Sequence, residues 1–139
     1  MEDRPGGMRH RRPRLTRSAD FDRVYRNGRS AATRSFVLYA FPSSQRDTDE
    51  PQDERADVRL GVSVGRRVGG AVERNRVKRV LREAFWGLDE ELPEGHDFVI
   101  VARSGSAELA EQQGLHAVRA ELAELLARLE AGKSATRER

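Results

Sequence analysis

Between residues 58 and 64 the chain alternates with a period of two. Val58, Leu60, Val62 and Val64 point one way, while Arg59, Gly61 and Ser63, with Gly65 after them, point the other. That pattern predicts a half-buried strand with one apolar face and one small, polar face left open by the core. The β-branched and aromatic run TRSFVLYAF predicts a second strand at 33–41, and GHDFVIVAR a third at about 97–102. After the glycine-rich turn RRVGG the period lengthens to that of a helix, from about Ala71 to Trp86. Val77, Val80, Leu81, Ala84 and Leu88 then share a face, with Phe85 beside them.

Two further helices flank these elements. RSADFDRVYRNG brings Phe21, Val24 and Tyr25 together at i, i+3, i+4, with Ser18 placed as N-cap, Asp20 and Asp22 in the first turn and Gly28 as the stop. The C-terminal stretch SAELAEQQGLHAVRAELAELLARLEAG aligns Leu115, Val118, Leu122, Leu125, Leu126 and Leu129 in one stripe. Ser106 is placed to cap its start, Gly132 to end it and Gly114 to interrupt it. The order α, β, β, α, β, α predicts an α+β fold, one sheet with helices packed on it.

The segments without periodicity set the expected boundaries. Residues 1–13 read as a flexible basic arm, 43–57 as an acidic, proline-containing loop and 132–139 as a flexible tail. One domain, residues 14–131, is expected from a chain of 139 residues.

Composition narrows the function. The absence of cysteine excludes a disulfide framework and a thiolate metal site. No apolar run approaches the roughly 18–20 residues of a membrane span, and the basic N-terminus lacks a signal-like hydrophobic region. A cytoplasmic protein without a membrane partner is therefore expected. The net charge of +3 conceals segregation: residues 1–34 carry ten Lys/Arg against four Asp/Glu, and residues 59–82 carry eight against one. The balance is acidic at 43–58 and again from 83 onward. Two basic blocks that meet in the fold would make a strongly positive surface.

The helix at 71–86 concentrates that charge. Asn75, Lys78, Arg79 and Arg82 occupy the face opposite its apolar side, and Arg76 lies at the flank. Arg74 projects nearer the apolar side and has to reach past the helix start, while Arg66 and Arg67 extend the strip across the glycine turn. Guanidinium forks match phosphate oxygens, and asparagine bonds phosphate, sugar or base edges. A solvated face would mix charges of both signs, yet Glu73 and Glu83 are the only acids at hand. Nucleic acid is the partner this implies. Phe21, Tyr25 and Tyr39 add rings that could stack on unpaired bases, although each taken alone is more often a core residue than a ligand contact.

Protein catalytic machinery is not evident. His10, His96 and His116 are scattered among the arm, a strand start and the last helix. The carboxylates suggest no two-metal cluster, no serine has an evident His/Asp pair, and SVGRRVGG lacks the phosphate-loop pattern.

RLTRSADFDRVYRNGRS, RSFVLYAF, RLGVSVGRRVGGAVERNRVKRVLREAF and HDFVIVAR resemble, in order and spacing, the bacterial ribonuclease P protein component over about residues 14–130. The most specific part is Arg74–Asn75–Arg76 followed by VKRVLREAF, after the Ser-Val-X-basic-basic-Val-Gly turn. The resemblance implies a small α/β sandwich of α-β-β-β-α-β-α order with an unusual left-handed β-α-β crossover. It implies a subunit of a ribonucleoprotein endoribonuclease that removes the 5′ leader of precursor tRNA. The catalytic RNA and precursor tRNA would be its partners, no obligate protein partner would be needed, and Mg²⁺ would be held by the RNA. Arg66, Arg67, Arg74, Asn75, Arg76, Lys78, Arg79 and Arg82 would then bind RNA, and Phe21, Tyr25 and Tyr39 the single-stranded leader. The competing expectation is a ribosomal or chaperone-like RNA-binding protein with no enzymatic role.

Overall fold

The structure, a computed structural model, describes residues 12–43 and 57–137, with side chains described to residue 131. The elements are α1 (Ser18–Asn27), β1 (Arg29–Ala32), β2 (Phe36–Pro42), β3 (Arg59–Val64), α2 (Ala71–Trp86), β4 (His96–Ala102), α3 (Ser106–Gln112) and α4 (Gly114–Arg137). One mixed sheet runs in the order β1-β2-β4-β3, antiparallel except for the parallel pair β3 and β4, which α2 connects. The architecture is the expected sheet with packed helices. Most of the basic arm and of the acidic loop 43–57 lies outside the described residues.

The alternation at 58–64 builds two unlike faces. On one, Phe36, Leu38, Leu60, Phe98 and Ile100 pack against Val77, Leu81 and Phe85 of α2 and Val118, Leu122 and Leu125 of α4. This is the main core. On the other face a small cluster of Leu15, Val24, Phe41 and Val99, bordered by Phe21, Tyr39 and Val101, holds α1 against the sheet. Gly61 lies on this second face beneath Phe21: a Cβ there would stand 2.6 Å from the ring.

Several local expectations change. The strand expected at 33–41 begins at Phe36, because Thr33 turns the chain: its N–H donates to the Phe36 carbonyl at 2.8 Å, and its Oγ1 accepts from the Phe36 N–H at 3.2 Å. A short β1, too brief and polar to announce itself, pairs with β2 ahead of that turn. Ser18 is the first residue of α1 rather than its cap; Arg17 holds that position without a side-chain cap. Gly28 does end α1, with its N–H on the Val24 carbonyl, and a Cβ there would fall 2.7 Å from the Ala40 carbonyl. A side chain there would collide with both backbones.

The C-terminal helix divides at Gly114, whose φ of +79° suits glycine, so α3 and α4 are separate elements. Gly105, not Ser106, occupies the N-cap of α3; Ser106 is buried and its Oγ makes no hydrogen bond. The backbone of α4 continues through Gly132 to Arg137, and Leu115 stands 39% exposed instead of joining the buried stripe. It stands in the first turn of α4, directly after the break.

Candidate nucleic-acid interface

The strip on α2 follows from how that helix is fixed. Val77, Leu81, Ala84 and Phe85 are buried, and the Gly70 N–H donates to Glu73 Oε1 at 2.9 Å, anchoring the first turn. The opposite face then turns outward as a unit. Asn75, Lys78, Arg79 and Arg82 line a groove of about 500 Å³ whose other side carries Arg12 and Arg14. Among the described residues Glu83 is the one acid lining it. Burial lowers the Arg82 pKa, and the positive charge of Arg14 lowers it further. Cations held this close favour an anion between them.

The remaining basic candidates separate from that strip. Arg66 and Arg67 are exposed and line a second groove, of about 530 Å³, with Ser63, Val101 and Arg103. That groove borders the open face of the sheet. Arg76 turns toward α3 and stands 3.7 Å from Glu111, both side chains being substantially exposed, so the pair contributes little. Arg74 is half-buried, with a buried Nε that has no hydrogen-bond partner, as its position toward the apolar side of α2 suggested.

The aromatic candidates do come together. Phe21 and Tyr25 lie one turn apart on α1 with ring centroids 6.2 Å apart, and Tyr25 meets Tyr39 of β2 edge-on at 5.0 Å. Tyr25 is 37% exposed, so its ring is offered to a ligand. Burial raises the pKa of its hydroxyl, while a hydrogen bond with Ser63 acts the other way and the charges of Tyr39 and Asp22 add to the rise. The phenol therefore stays protonated at neutral pH, able to donate. Its neutral form contributes stability that is complete below the unfolded-state value and lost as pH rises through the higher folded-state value. In an alkaline absorbance titration Tyr25 should ionise later than a free tyrosine, and later still in Ser63→Ala. Earlier ionisation in that variant would show that Ser63 does not support the phenolate.

Beneath α1 lies an arrangement that periodicity does not reveal. Asp97 is fully buried and accepts two bonds from Arg59, from Nε at 2.9 Å and from Nη2 at 2.8 Å. The same Nη2 lies 3.8 Å from Asp20, which also accepts from Arg23 at 2.8 Å. Thus the polar face of β3 fastens the first turn of α1 and so sets where Phe21 and Tyr25 stand. Arg12, Arg14 and Arg103 were likewise not singled out from the sequence; the first two sit in or beside a basic arm, and only the fold shows them facing α2.

His96 is buried, stacks on Phe98 and has its Nδ1 3.0 Å from the Glu94 carbonyl, whereas His116 is exposed beside Arg119. His10 lies outside the described residues. Among the described residues no three His, Cys, Asp or Glu side chains are grouped to hold a metal ion, and no helix is long and apolar enough to cross a membrane.

Comparison with known proteins, by sequence and by structure, points to one family. The family model described as Ribonuclease P matches residues 9–130. The ribonuclease P protein component of Brevibacillus brevis is 40% identical over 114 residues, covering 79% of this chain and 83% of that one. That of Macrococcus caseolyticus is 38% identical over 96 residues, covering 69% and 75%. Among solved structures, the RNase P protein of Thermotoga maritima superposes with a TM-score of 0.66 at 32% identity, covering 84% of this chain and 97% of the other. That of Staphylococcus aureus gives 0.66 at 29% identity, covering 84% and 94%.

Proposed function

Because the chain belongs to the ribonuclease P protein family, we propose that its two faces divide the work, α2 holding the catalytic RNA and the α1 side of the sheet holding the 5′ leader of precursor tRNA. The family role is that of an RNA-binding subunit that assists endonucleolytic removal of that leader. The observation that carries the assignment of faces is the basic groove beside α2, with Asn75, Lys78, Arg79 and Arg82 on one side and, among the described residues, a single acid in its lining.

The chemistry suits this division. Phosphates entering the groove release counterions and relieve the repulsion among its cations. On the other face the rings of Phe21, Tyr25 and Tyr39, above the small side of β3, offer stacking surfaces that a paired base has no means to use. Arg66 and Arg67, in the second groove with Ser63, stand where a strand leaving that cleft would pass. In this reading Mg²⁺ belongs to the RNA and supplies the hydrolytic chemistry there. The protein's part is to bind, to orient the leader and to screen phosphate repulsion. Its partners are the catalytic RNA and precursor tRNA, with no obligate protein partner, and the domain that does this is residues 14–131.

Adding the chain to separately transcribed catalytic RNA tests this. Cleavage of precursor tRNA at low magnesium should rise sharply; no improvement would favour a non-enzymatic RNA-binding protein. Tyr39→Ala should leave binding to the catalytic RNA unchanged and narrow the preference for precursor over mature tRNA. Equal losses for both tRNAs would count against the leader cleft.

A further inference from the structure

Helix α1 is fastened to the sheet at its two ends by different means. At its C-terminal end Gly28 lies so close to β2 that a Cβ would stand 2.7 Å from the Ala40 carbonyl, a backbone contact that leaves this end little room to move. At its N-terminal end the tie is electrostatic. Asp20, on the first turn, places one oxygen, Oδ1, 2.8 Å from Arg23 Nη1 on its own helix and 3.8 Å from Arg59 Nη2 on β3. Arg59 is itself locked, because its Nε and Nη2 both donate to the buried Asp97 carboxylate of β4. We infer that Asp20 is a positioning residue for leader recognition: its carboxylate, shared between Arg23 and Arg59, holds the N-terminal end of α1 over β3 and so keeps Phe21 and Tyr25 in register with Tyr39.

With the far end pinned at Gly28, the motion left to α1 is a swing of its first turn across β3. Phe21 follows Asp20 directly, and its ring lies over Gly61, where even a Cβ would come within 2.6 Å. Tyr25, one turn on, meets Tyr39 edge-on with ring centroids 5.0 Å apart. A swing therefore moves two of the three rings while Tyr39, held in the sheet, stays. Apolar packing does not select one angle, because the buried cluster under the helix is small, Leu15, Val24, Phe41 and Val99, and apolar attraction has no direction. The ion pairs supply the direction. The Asp20 and Arg59 side chains are only 12% and 17% exposed, so solvent screens their attraction less than that of a surface pair. Removing the Asp20 charge also strips Arg23 of its partner. Two guanidinium groups that approach the same oxygen then face each other without it, and attraction at the end of α1 gives way to repulsion.

The inference rests on the leader reading above, and the experiment keeps the two apart. Holoenzyme is reconstituted from separately transcribed catalytic RNA and the unaltered chain, Asp20→Asn, Asp20→Glu or Tyr39→Ala, with the active protein fraction set by gel shift on that RNA. Asp20→Asn leaves the Arg59–Asp97 pair in place. For a precursor tRNA with an extended leader it should raise KM roughly fivefold at unchanged kcat, the low end of what losing one base–aromatic stack does. For a precursor whose leader is a single nucleotide KM should not move, a distinction that a mere loss of folded protein would not produce. Asp20→Glu, which keeps the charge, should restore most of the loss. An unchanged KM for the extended leader, an equal rise for both leaders, or Asp20→Glu behaving like Asp20→Asn would overturn the inference. If Tyr39→Ala still narrows the preference for precursor over mature tRNA, the leader cleft stands and only the role of Asp20 falls. If Tyr39→Ala has no effect either, the cleft falls with it.

Discussion

Arg59→Ala is expected to lower the unfolding free energy by about 3 kcal/mol, the lower end of what removing one partner of a buried ion pair costs. The reason is the asymmetry of the pair. Asp97 is fully buried, whereas the Arg59 side chain keeps 17% of its exposure. The substitution leaves a fully buried carboxylate near the start of the inner strand β4 without its bidentate partner, and water does not reach it easily. A drop in Tm on the order of 10 °C should accompany the change. Urea unfolding checks the figure, and the double variant Arg59→Met/Asp97→Leu should recover most of the loss, since well-packed apolar replacements of buried pairs are often neutral. A loss below about 1 kcal/mol would mean the pair is far better solvated than its geometry indicates. Function would suffer as well, because Asp20 ties the start of α1 to the same arginine.

The second large effect concerns the strip. Arg79→Gln/Arg82→Gln is expected to weaken binding to the catalytic RNA by roughly 15- to 30-fold at physiological salt, as two lost phosphate contacts imply. Both substitutions leave an unbranched, polar but shorter side chain, and Val77, Leu81, Ala84 and Phe85, which hold the helix down, are untouched. Stability should hardly change; relief of repulsion between Arg82 and Arg14 can even raise it slightly. A weakening confined to twofold would move the RNA to some other surface.

Much of this was legible in the chain before any coordinates. The period-two run at 58–64 gave both faces of the sheet, since Leu60 entered the main core and Gly61 the side under Phe21. The helical period at 71–86 placed Asn75, Lys78, Arg79 and Arg82 together for the same reason. What periodicity does not carry is contact between distant segments. Arg59 and Asp97 sit 38 residues apart and look like ordinary surface charges until β3 and β4 pair in parallel. Arg12 and Arg14 belong to a stretch with no pattern, and their position depends on two backbone hydrogen bonds to Leu60. Arg66 and Arg67 precede the strip closely in sequence, but the glycine turn sends them to another groove. Local caps failed where tertiary packing intervened, as with Ser106, which went into the interior instead of capping α3.

All of this depends on one helix being greasy enough on one side to stay put while its other side meets a polyanion. The most direct check is a salt series of catalytic-RNA binding, comparing the unaltered chain with Arg79→Gln/Arg82→Gln. The slope of log K against log salt should become shallower by about 1.4 to 1.8 in the variant. Parallel lines would contradict the account, because they would mean that neither arginine touches a phosphate.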